Sequence, residues 1–209
     1  MGREDSMNVF HILLFDWWKN KRRSFPWRGE GISSYRLLVT EMLLWKTRAE
    51  TVEAIWNRFF DRFPDVHSLS EATEDEINEI IVSLGLSKRA ACLKEMAVRI
   101  VDEYGGVVPS NKDDLLSLMG IGEYAASATM CFAFGEDVPI IDANVKRILM
   151  RVFGCDEDEL IAISDALVPQ DAGPEWGYAL LDLGAFLCKY KPICKECPLR
   201  TVCVTGKNS

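Results

Sequence analysis

Apolar side chains recur three and four positions apart along almost the whole chain, which is the spacing of an amphipathic α-helix. In the segment 35–47, for example, Leu38, Val39, Met42 and Leu43 fall at this helical spacing. No segment alternates apolar and polar residues over several positions, as a half-buried strand does. The pattern therefore predicts an all-α protein.

Prolines, glycines and capping residues mark where the predicted helices begin and end. Pro64 ends one helix, Thr73 is a suitable N-cap for the next, and Gly85 follows that one. On this basis we predict helices over residues 9–19, 35–47, 51–63, 74–84, 88–104, 113–119, 124–134, 143–153, 159–168 and 175–190.

Composition limits the possible classes of protein. The chain has 209 residues, of which 48% are hydrophobic, enough for one substantial core or two small domains. No run of 18 apolar residues is present, so we expect no membrane span. The first ten residues are too polar for a secretory signal. We therefore expect a cytoplasmic protein.

Charge is distributed unevenly along the chain. The net charge of −8 argues against a protein that coats nucleic acid without specificity. The segment 19–28, however, holds five basic residues and no acid, and the tail from Cys188 holds five basic residues against Glu196 alone. Basic residues gathered on one face would suit a single anionic partner. The acidic runs 71–79 and 156–175 are interpreted as solvated helix faces.

Four of the seven cysteines lie within sixteen residues, in the pattern C-x5-C-x2-C-x5-C formed by Cys188, Cys194, Cys197 and Cys203. Clustered thiolates repel one another unless a cation or metal cluster neutralises them. Zinc sites usually contain two C-x-x-C pairs, and this pattern has one. We therefore favour a [4Fe-4S] cluster, with zinc as the alternative.

Two further segments suggest binding or catalysis without settling it. Gly120 and Gly122 lie between two predicted helices, where a tight turn would expose backbone N–H groups to a phosphate; an ordinary turn is equally compatible. Asp142 stands directly before a helix, either as a simple N-cap or as a carboxylate at the mouth of a cleft.

Glu41 interrupts an otherwise apolar helix. A carboxylate in such surroundings would be partly desolvated, which raises its pKa. An exposed edge position, or a pairing with Arg48, explains the pattern equally well.

Taken together, these segments resemble the helix–hairpin–helix DNA glycosylases with an iron–sulfur cluster, the endonuclease III superfamily. The resemblance runs from about Phe25 to Cys203. It rests on several motifs in the same order along the chain: Phe25-Pro26-Trp27-Arg28, Thr40-Glu41-Met42-Leu43-Leu44, Leu118 to Ala126, Ile141 to Arg147, Leu181-Asp182-Leu183-Gly184-Ala185, and the cysteine segment with Cys197-Pro198-Leu199. Two residues and one spacing depart from the family pattern. Met119 replaces a proline, Ala125 replaces a threonine, and five residues rather than six follow the first cysteine.

The resemblance implies roles for particular residues. Asp142 would be the catalytic carboxylate, and Gly120, Ile121 and Gly122 would form the DNA-binding hairpin. The carbonyl groups of three residues would hold a monovalent cation, Na⁺ or K⁺, beside it: Leu116, Leu118 and Ile121. Four further side chains would contact DNA. Trp45 and Lys46 would fill the space left by a flipped base, Leu86 would wedge into the opposite strand, and Lys146 is the fourth of these residues. For Trp45 and Leu86, plain core packing is the alternative.

The residue at position 124 separates two classes within this family. Bifunctional members carry a Schiff-base lysine there, whereas this chain has Tyr124, whose phenol cannot form an imine with a sugar. We therefore expect a monofunctional glycosylase that leaves the DNA backbone whole.

The pairing of Glu41 with Tyr124 is most similar to the archaeal-type thymine–guanine mismatch glycosylases. Adenine glycosylases share the glutamate, but usually carry serine at position 124 and possess a further C-terminal domain. We thus expect excision of thymine or uracil opposite guanine in double-stranded DNA. An adenine glycosylase lacking its C-terminal domain, or a non-catalytic iron–sulfur DNA-binding protein, is the alternative.

The same resemblance implies a two-lobed architecture. A six-helix barrel, residues 28–137, would contain the hairpin. A discontinuous cluster domain would combine residues 1–27 and 138–209. Tyr124 and Asp142 would face each other across the cleft between the lobes of a monomeric, nucleoid-associated prokaryotic enzyme.

Overall fold

A computed structural model of the chain describes residues 3–85 and 88–207. Within these ranges the regular structure consists of helices, and no strand occurs, as the apolar spacing predicts. None of the helices there is both long enough and apolar enough to span a bilayer. The chain divides into two compact units, a contiguous unit (Ser24–Phe134) and a discontinuous unit (Met1–Arg23 with Gly135–Ser209).

Helices α2 to α8 and two short 3-10 helices build the contiguous unit. Their bounds are α2 Ser34–Leu44, α3 Ala49–Arg62, α4 Val66–Glu71, α5 Glu74–Ile81, α6 Arg89–Tyr104, α7 Lys112–Ser117 and α8 Glu123–Phe134, with 3-10 turns at Pro26–Arg28 and Val82–Leu84. Helix α4 was not predicted, because six residues are too few to display a helical period. A reciprocal capping box between Asp65 and Ser68 begins it, and the hydrogen bonds from Ser68 lower the pKa of Asp65.

Helix α2 lies at the centre of this unit. Every residue from Leu37 to Leu43 is buried, including the polar Thr40 and Glu41. Thr40 satisfies its hydroxyl group by donating to the Arg36 carbonyl (2.6 Å) and accepting from Trp56 Nε1 (2.9 Å). The helix ends at Leu44, three residues before the predicted end, because Lys46 adopts a left-handed backbone conformation (φ +52°).

The discontinuous unit joins the amino-terminal helix to the carboxy-terminal ones. Its helices are α1 Arg3–Lys21, α9 Ala143–Phe153, α10 Glu157–Leu167, α11 Gly173–Phe186 and α12 Val204–Lys207, with 3-10 turns at Cys194–Glu196 and Pro198–Thr201. Helix α11 ends four residues earlier than predicted. The N–H groups of Leu187 and Cys188 both bond to the Leu183 carbonyl (2.9 Å each), which closes the last turn.

Asp182 on α11 connects the amino-terminal part of this unit to its carboxy-terminal part. Its carboxylate is fully buried on α11 and accepts hydrogen bonds from Trp18 Nε1 (2.9 Å), the Arg23 backbone N–H (3.0 Å) and Arg23 Nε (2.6 Å). Trp18 belongs to α1 and Arg23 follows it, so one carboxylate holds the end of the amino-terminal helix against α11. A buried charge needs such partners, because removing it from water costs several kcal/mol.

We predict that Asp182→Asn lowers the free energy of unfolding by roughly 3 kcal/mol, since it removes the charge from a buried pair and leaves Arg23 and Trp18 without their anionic acceptor. Denaturant unfolding followed by circular dichroism measures the loss. The control is Glu103→Gln, which breaks the exposed Arg99–Glu103 pair on α6 and should cost at most about 0.5 kcal/mol. Equal losses in the two variants would contradict the role assigned to Asp182.

Candidate functional site

Asp142 caps helix α9 and remains partly exposed. Its Oδ1 accepts from the backbone N–H groups of Asn144 (2.8 Å) and Val145 (2.7 Å), and its Oδ2 accepts from Asn144 Nδ2 (2.7 Å). The two interpretations of the sequence are therefore compatible: the residue is an N-cap, and its bonds hold the carboxylate in one orientation. The positive end of the helix dipole also favours a negative charge there.

The bonds from Asp142 continue along α9 to the cysteine segment. Asn144 Oδ1 accepts from Arg147 Nη2 (2.7 Å), and Arg147 Nε donates to the Cys188 carbonyl (2.9 Å). One turn further, Arg151 donates to the carbonyl groups of Lys189 (2.6 Å) and Tyr190 (3.0 Å). Two arginines of one helix thus fix the chain where it leaves α11.

Gly184 explains part of the Leu181–Ala185 motif. A Cβ atom at this position would lie 2.9 Å from Cβ of Asn144 and 3.5 Å from Cδ1 of Ile148. Only glycine allows α11 to approach the first turn of α9 this closely. The motif therefore supports the helix that carries Asp142, a role that the sequence alone did not show.

All four cysteines of the C-terminal pattern line one pocket. Its walls also include Ile148 and Val152 of α9, Leu183 and Leu187, and Leu199. Cys203 Sγ accepts from the Gly206 N–H (3.2 Å), and Arg151 Nη1 lies 3.6 Å from Cys188 Sγ. These two donors would stabilise thiolates, whereas the Arg151 carbonyl, which accepts from the Cys203 thiol (3.2 Å), would not.

The chemistry of this pocket can be tested against the group that the sequence predicts. Burial, and to a lesser extent the neighbouring thiols, raises the pKa of Cys197 to about 11. Thiolates would therefore be unfavourable there without a cation. In the described part of the chain, no three His, Cys, Asp or Glu side chains are grouped closely enough to hold one metal ion. The pocket brings the four cysteines of the pattern together among mainly apolar side chains.

The predicted hairpin forms a tight turn between α7 and α8. Gly120 has φ +85°, and a Cβ atom there would lie 3.0 Å from Met42 Cε and 3.1 Å from Cys92 Cβ, so the position requires glycine. Ile121 is buried and donates its N–H to the Leu118 carbonyl (3.2 Å). Gly120 and Gly122 are exposed. Leu118 is buried and Leu116 is half-buried.

Glu41 and Tyr124 are the two other predicted catalytic residues. Glu41 is 7% exposed on α2, so the exposed-edge interpretation is wrong. Arg48 is exposed at the N-terminal boundary of α3. Tyr124 is half-buried in the first turn of α8, directly after the hairpin.

Comparison with known proteins identifies the family. Residues 39–168 match the model of the HhH-GPD superfamily base excision DNA repair proteins. The chain belongs to this superfamily. It is 36% identical to an adenine DNA glycosylase of Mycolicibacterium smegmatis over 92% of this chain and 68% of that protein. It is 34% identical to a thymine/uracil-DNA glycosylase of Methanothermobacter thermautotrophicus over 93% of this chain and 92% of that protein.

A solved structure of a thermostable thymine-DNA glycosylase shares the fold. The TM-score is 0.92, the sequence identity is 32%, and the match covers 99% of both chains. The resemblance to helix–hairpin–helix glycosylases is therefore confirmed, together with the all-α fold class.

The structure shows the surroundings of most predicted DNA-contacting residues of this HhH-GPD protein. Trp45 is 48% exposed, so its core-packing interpretation is wrong. Lys46 is exposed beside it, with Nζ 5.7 Å from the Trp45 ring centroid. Lys146 forms an ion pair with Glu157 (2.6 Å). Leu86 lies outside the described residues.

Several residues that organise the HhH-GPD site were not singled out from the sequence. Asn144, Arg147 and Arg151 connect Asp142 to the cysteine segment, but their partners lie up to 41 positions away. The only sequence signal was the presence of basic residues one turn after Asp142.

Proposed function

We propose that this chain is a monofunctional DNA glycosylase that excises thymine or uracil opposite guanine. The observation that carries the proposal is the Asp142 carboxylate, which three hydrogen bonds hold at the amino end of α9. The relatives include thymine/uracil and adenine DNA glycosylases, and both classes support base excision as the reaction.

The chemistry needs a fixed negative charge. Breaking the bond between base and deoxyribose leaves positive charge on the sugar, as in glycoside hydrolysis. A carboxylate already oriented by its surroundings stabilises that charge without reorganising in the transition state. Asp142 would take this role and also orient the attacking water. Glu41, buried on α2, would act on the target base in the same reaction.

Tyr124 limits the reaction to hydrolysis. A lyase reaction begins when an amine of the enzyme attacks the sugar carbon. Where bifunctional relatives have a lysine, the first turn of α8 has the phenol of Tyr124. We therefore propose that the product is an intact strand with an abasic site.

Thymine or uracil is proposed as the target in preference to adenine. The family resemblance associates tyrosine at position 124 with thymine–guanine mismatch glycosylases, and serine with adenine glycosylases. The structural similarity to a thymine-DNA glycosylase supports this choice. Adenine excision is the second candidate, favoured by the 36% identity to an adenine DNA glycosylase.

A [4Fe-4S] cluster is proposed on Cys188, Cys194, Cys197 and Cys203. Zinc would draw its four sulfur atoms to within about 3.8 Å of one another, whereas a cluster binds each thiolate to a separate iron atom. Two observations support the cluster: the four cysteines share one pocket, and their pattern contains one C-x-x-C pair where zinc sites usually have two. When bound, it would serve as a structural cross-link that shapes the segment carrying Lys189, Lys191, Lys195 and Arg200, whose charges could reach DNA phosphates.

DNA binding is proposed to begin at the hairpin. The N–H groups of Gly120 and Gly122 would bind a phosphate, and the carbonyls of Leu116, Leu118 and Ile121 would hold a monovalent cation beside it. The protein is proposed to act as a monomer with a hairpin-bearing domain and a cluster domain. The predicted bounds of the first, 28–137, differ by a few residues from those of the contiguous unit, Ser24–Phe134.

A panel of end-labelled duplexes with T:G, U:G, A:G and A:oxidised-G pairs tests the choice of base. We expect strand breaks at the target in T:G and U:G, and only after alkali, because hydrolysis leaves the backbone intact. Duplexes with T:A and C:G pairs are the controls. Strong cleavage at adenine with none at T:G or U:G would establish the second candidate instead.

Tyr124→Lys tests the assignment of the position that excludes lyase chemistry. We expect borohydride to trap a covalent protein–DNA adduct with the variant and not with the wild-type protein, because a lysine there can form an imine with the sugar. Tyr124→Phe is the matched control and should give no adduct. Trapping by the wild-type protein would contradict the monofunctional assignment.

A further inference from the structure

Arg89 is a fully buried arginine outside the residues assigned so far. It is the first residue of α6 and its side chain is 1% exposed. Its Nη2 donates to the Trp45 carbonyl (2.5 Å) and to Thr47 Oγ1 (2.9 Å), 44 and 42 positions earlier in the sequence. A single guanidinium group therefore holds the turn between α2 and α3 against the start of α6.

Thr47 connects this turn to the end of the 3-10 helix Val82–Leu84. Its Oγ1 lies 3.4 Å from the Leu84 carbonyl and 3.2 Å from the Trp45 carbonyl. Leu84 ends a 3-10 helix, and Gly85 follows with φ +69°. Arg89 and Thr47 thus join the turn 45–47 to the start of α6 and to Leu84.

The turn needs external support. Lys46 has φ +52°, a left-handed conformation that costs a non-glycine residue roughly 1 kcal/mol. Trp45 and Lys46 are both exposed, so few contacts of their own side chains stabilise it. The hydrogen bond to the Trp45 carbonyl acts on the peptide immediately before Lys46.

Stability alone does not account for the residue type at position 89. Nε and Nη1 of Arg89 are buried and make no hydrogen bond within the described chain. Leaving polar groups buried without partners is unfavourable, so the burial of Nε and Nη1 has a cost that an apolar residue of similar volume would not have. An apolar residue, however, could not donate hydrogen bonds to both the Trp45 carbonyl and Thr47 Oγ1.

We propose that Arg89 is a positioning residue that holds Trp45 and Lys46 in the conformation that enters DNA during base flipping. The inference rests on the proposed function, which places these two side chains in the space left by the flipped base. Arg89 touches neither DNA nor the reacting atoms; it acts through the backbone of the turn.

Excision from two substrates separates positioning from folding. In a T:G duplex the base must be extracted and its space filled, whereas a uracil opposite an abasic-site analogue is unpaired and is extracted at lower cost. We expect Arg89→Met to reduce the single-turnover rate on T:G by about 10- to 100-fold, the scale of an ångström-sized misplacement. The rate on the unpaired uracil should stay within about threefold of wild type.

Two further variants complete the experiment. Arg89→Lys keeps one donor for the Trp45 carbonyl and should restore part of the T:G rate. Met96→Ala, a buried position on the same helix, is the destabilised control and should lower the rates on both substrates by equal factors. Fluorescence of 2-aminopurine beside the target should rise less with Arg89→Met than with wild type, because the base is extruded less often.

The outcomes distinguish the inference from the proposed function. Equal losses on both substrates with Arg89→Met, or no loss on either, would overturn the positioning role while leaving the function intact. If the wild-type protein releases neither thymine nor uracil from either substrate, the proposed function fails and the inference fails with it.

Discussion

The hydrogen bonds that cap helix α9 are the constraint on which the proposed site depends. Two backbone N–H groups and Asn144 Nδ2 hold the Asp142 carboxylate in place. The first turn of a helix always leaves N–H groups unsatisfied, so a carboxylate there stabilises the fold and is itself oriented. Stability and proposed catalysis therefore need the same geometry at this residue.

Helix α9 also connects the proposed catalytic carboxylate to the cysteine pocket. Arg147 and Arg151 bind the carbonyls of residues 188–190, and Ile148 and Val152 line the pocket. A cross-link on the four cysteines would thus fix the far side of the helix that Asp142 begins. Asp182 holds the amino-terminal helix to α11, which packs closely against α9 at Gly184. The discontinuous unit is consequently organised around α9.

The sequence predicted where most helices lie and which motif residues matter. It did not predict the packing and the hydrogen bonds around those residues. The apolar period and the caps located ten helices, since both signals are local. Helix α4 was missed because it is one and a half turns long, and α11 was extended too far because the turn at Leu187 depends on hydrogen bonds that leave no mark in the apolar pattern.

The candidate site shows the same division between local and long-range signals. Asp142 was identified as a cap from its position before α9, but the burial of Glu41 could be decided only by the packing of α2. Arg89 gave no signal at all, because a basic residue near the start of a helix is ordinarily exposed and its partners lie more than forty positions away.

We propose that the negative charge of Asp142, rather than its role as a helix cap, is what base excision requires. The most direct test is the single-turnover rate of thymine release from a T:G duplex by Asp142→Asn. Asparagine keeps an oxygen for the two backbone N–H groups, so the variant should stay folded and lose only about 1 to 2 kcal/mol of unfolding free energy, because the charge at the helix terminus and the bond from Asn144 Nδ2 are lost. We predict that the rate falls by about 10²- to 10³-fold, the usual effect of losing a preorganised electrostatic group. A rate within about threefold of wild type would contradict the account.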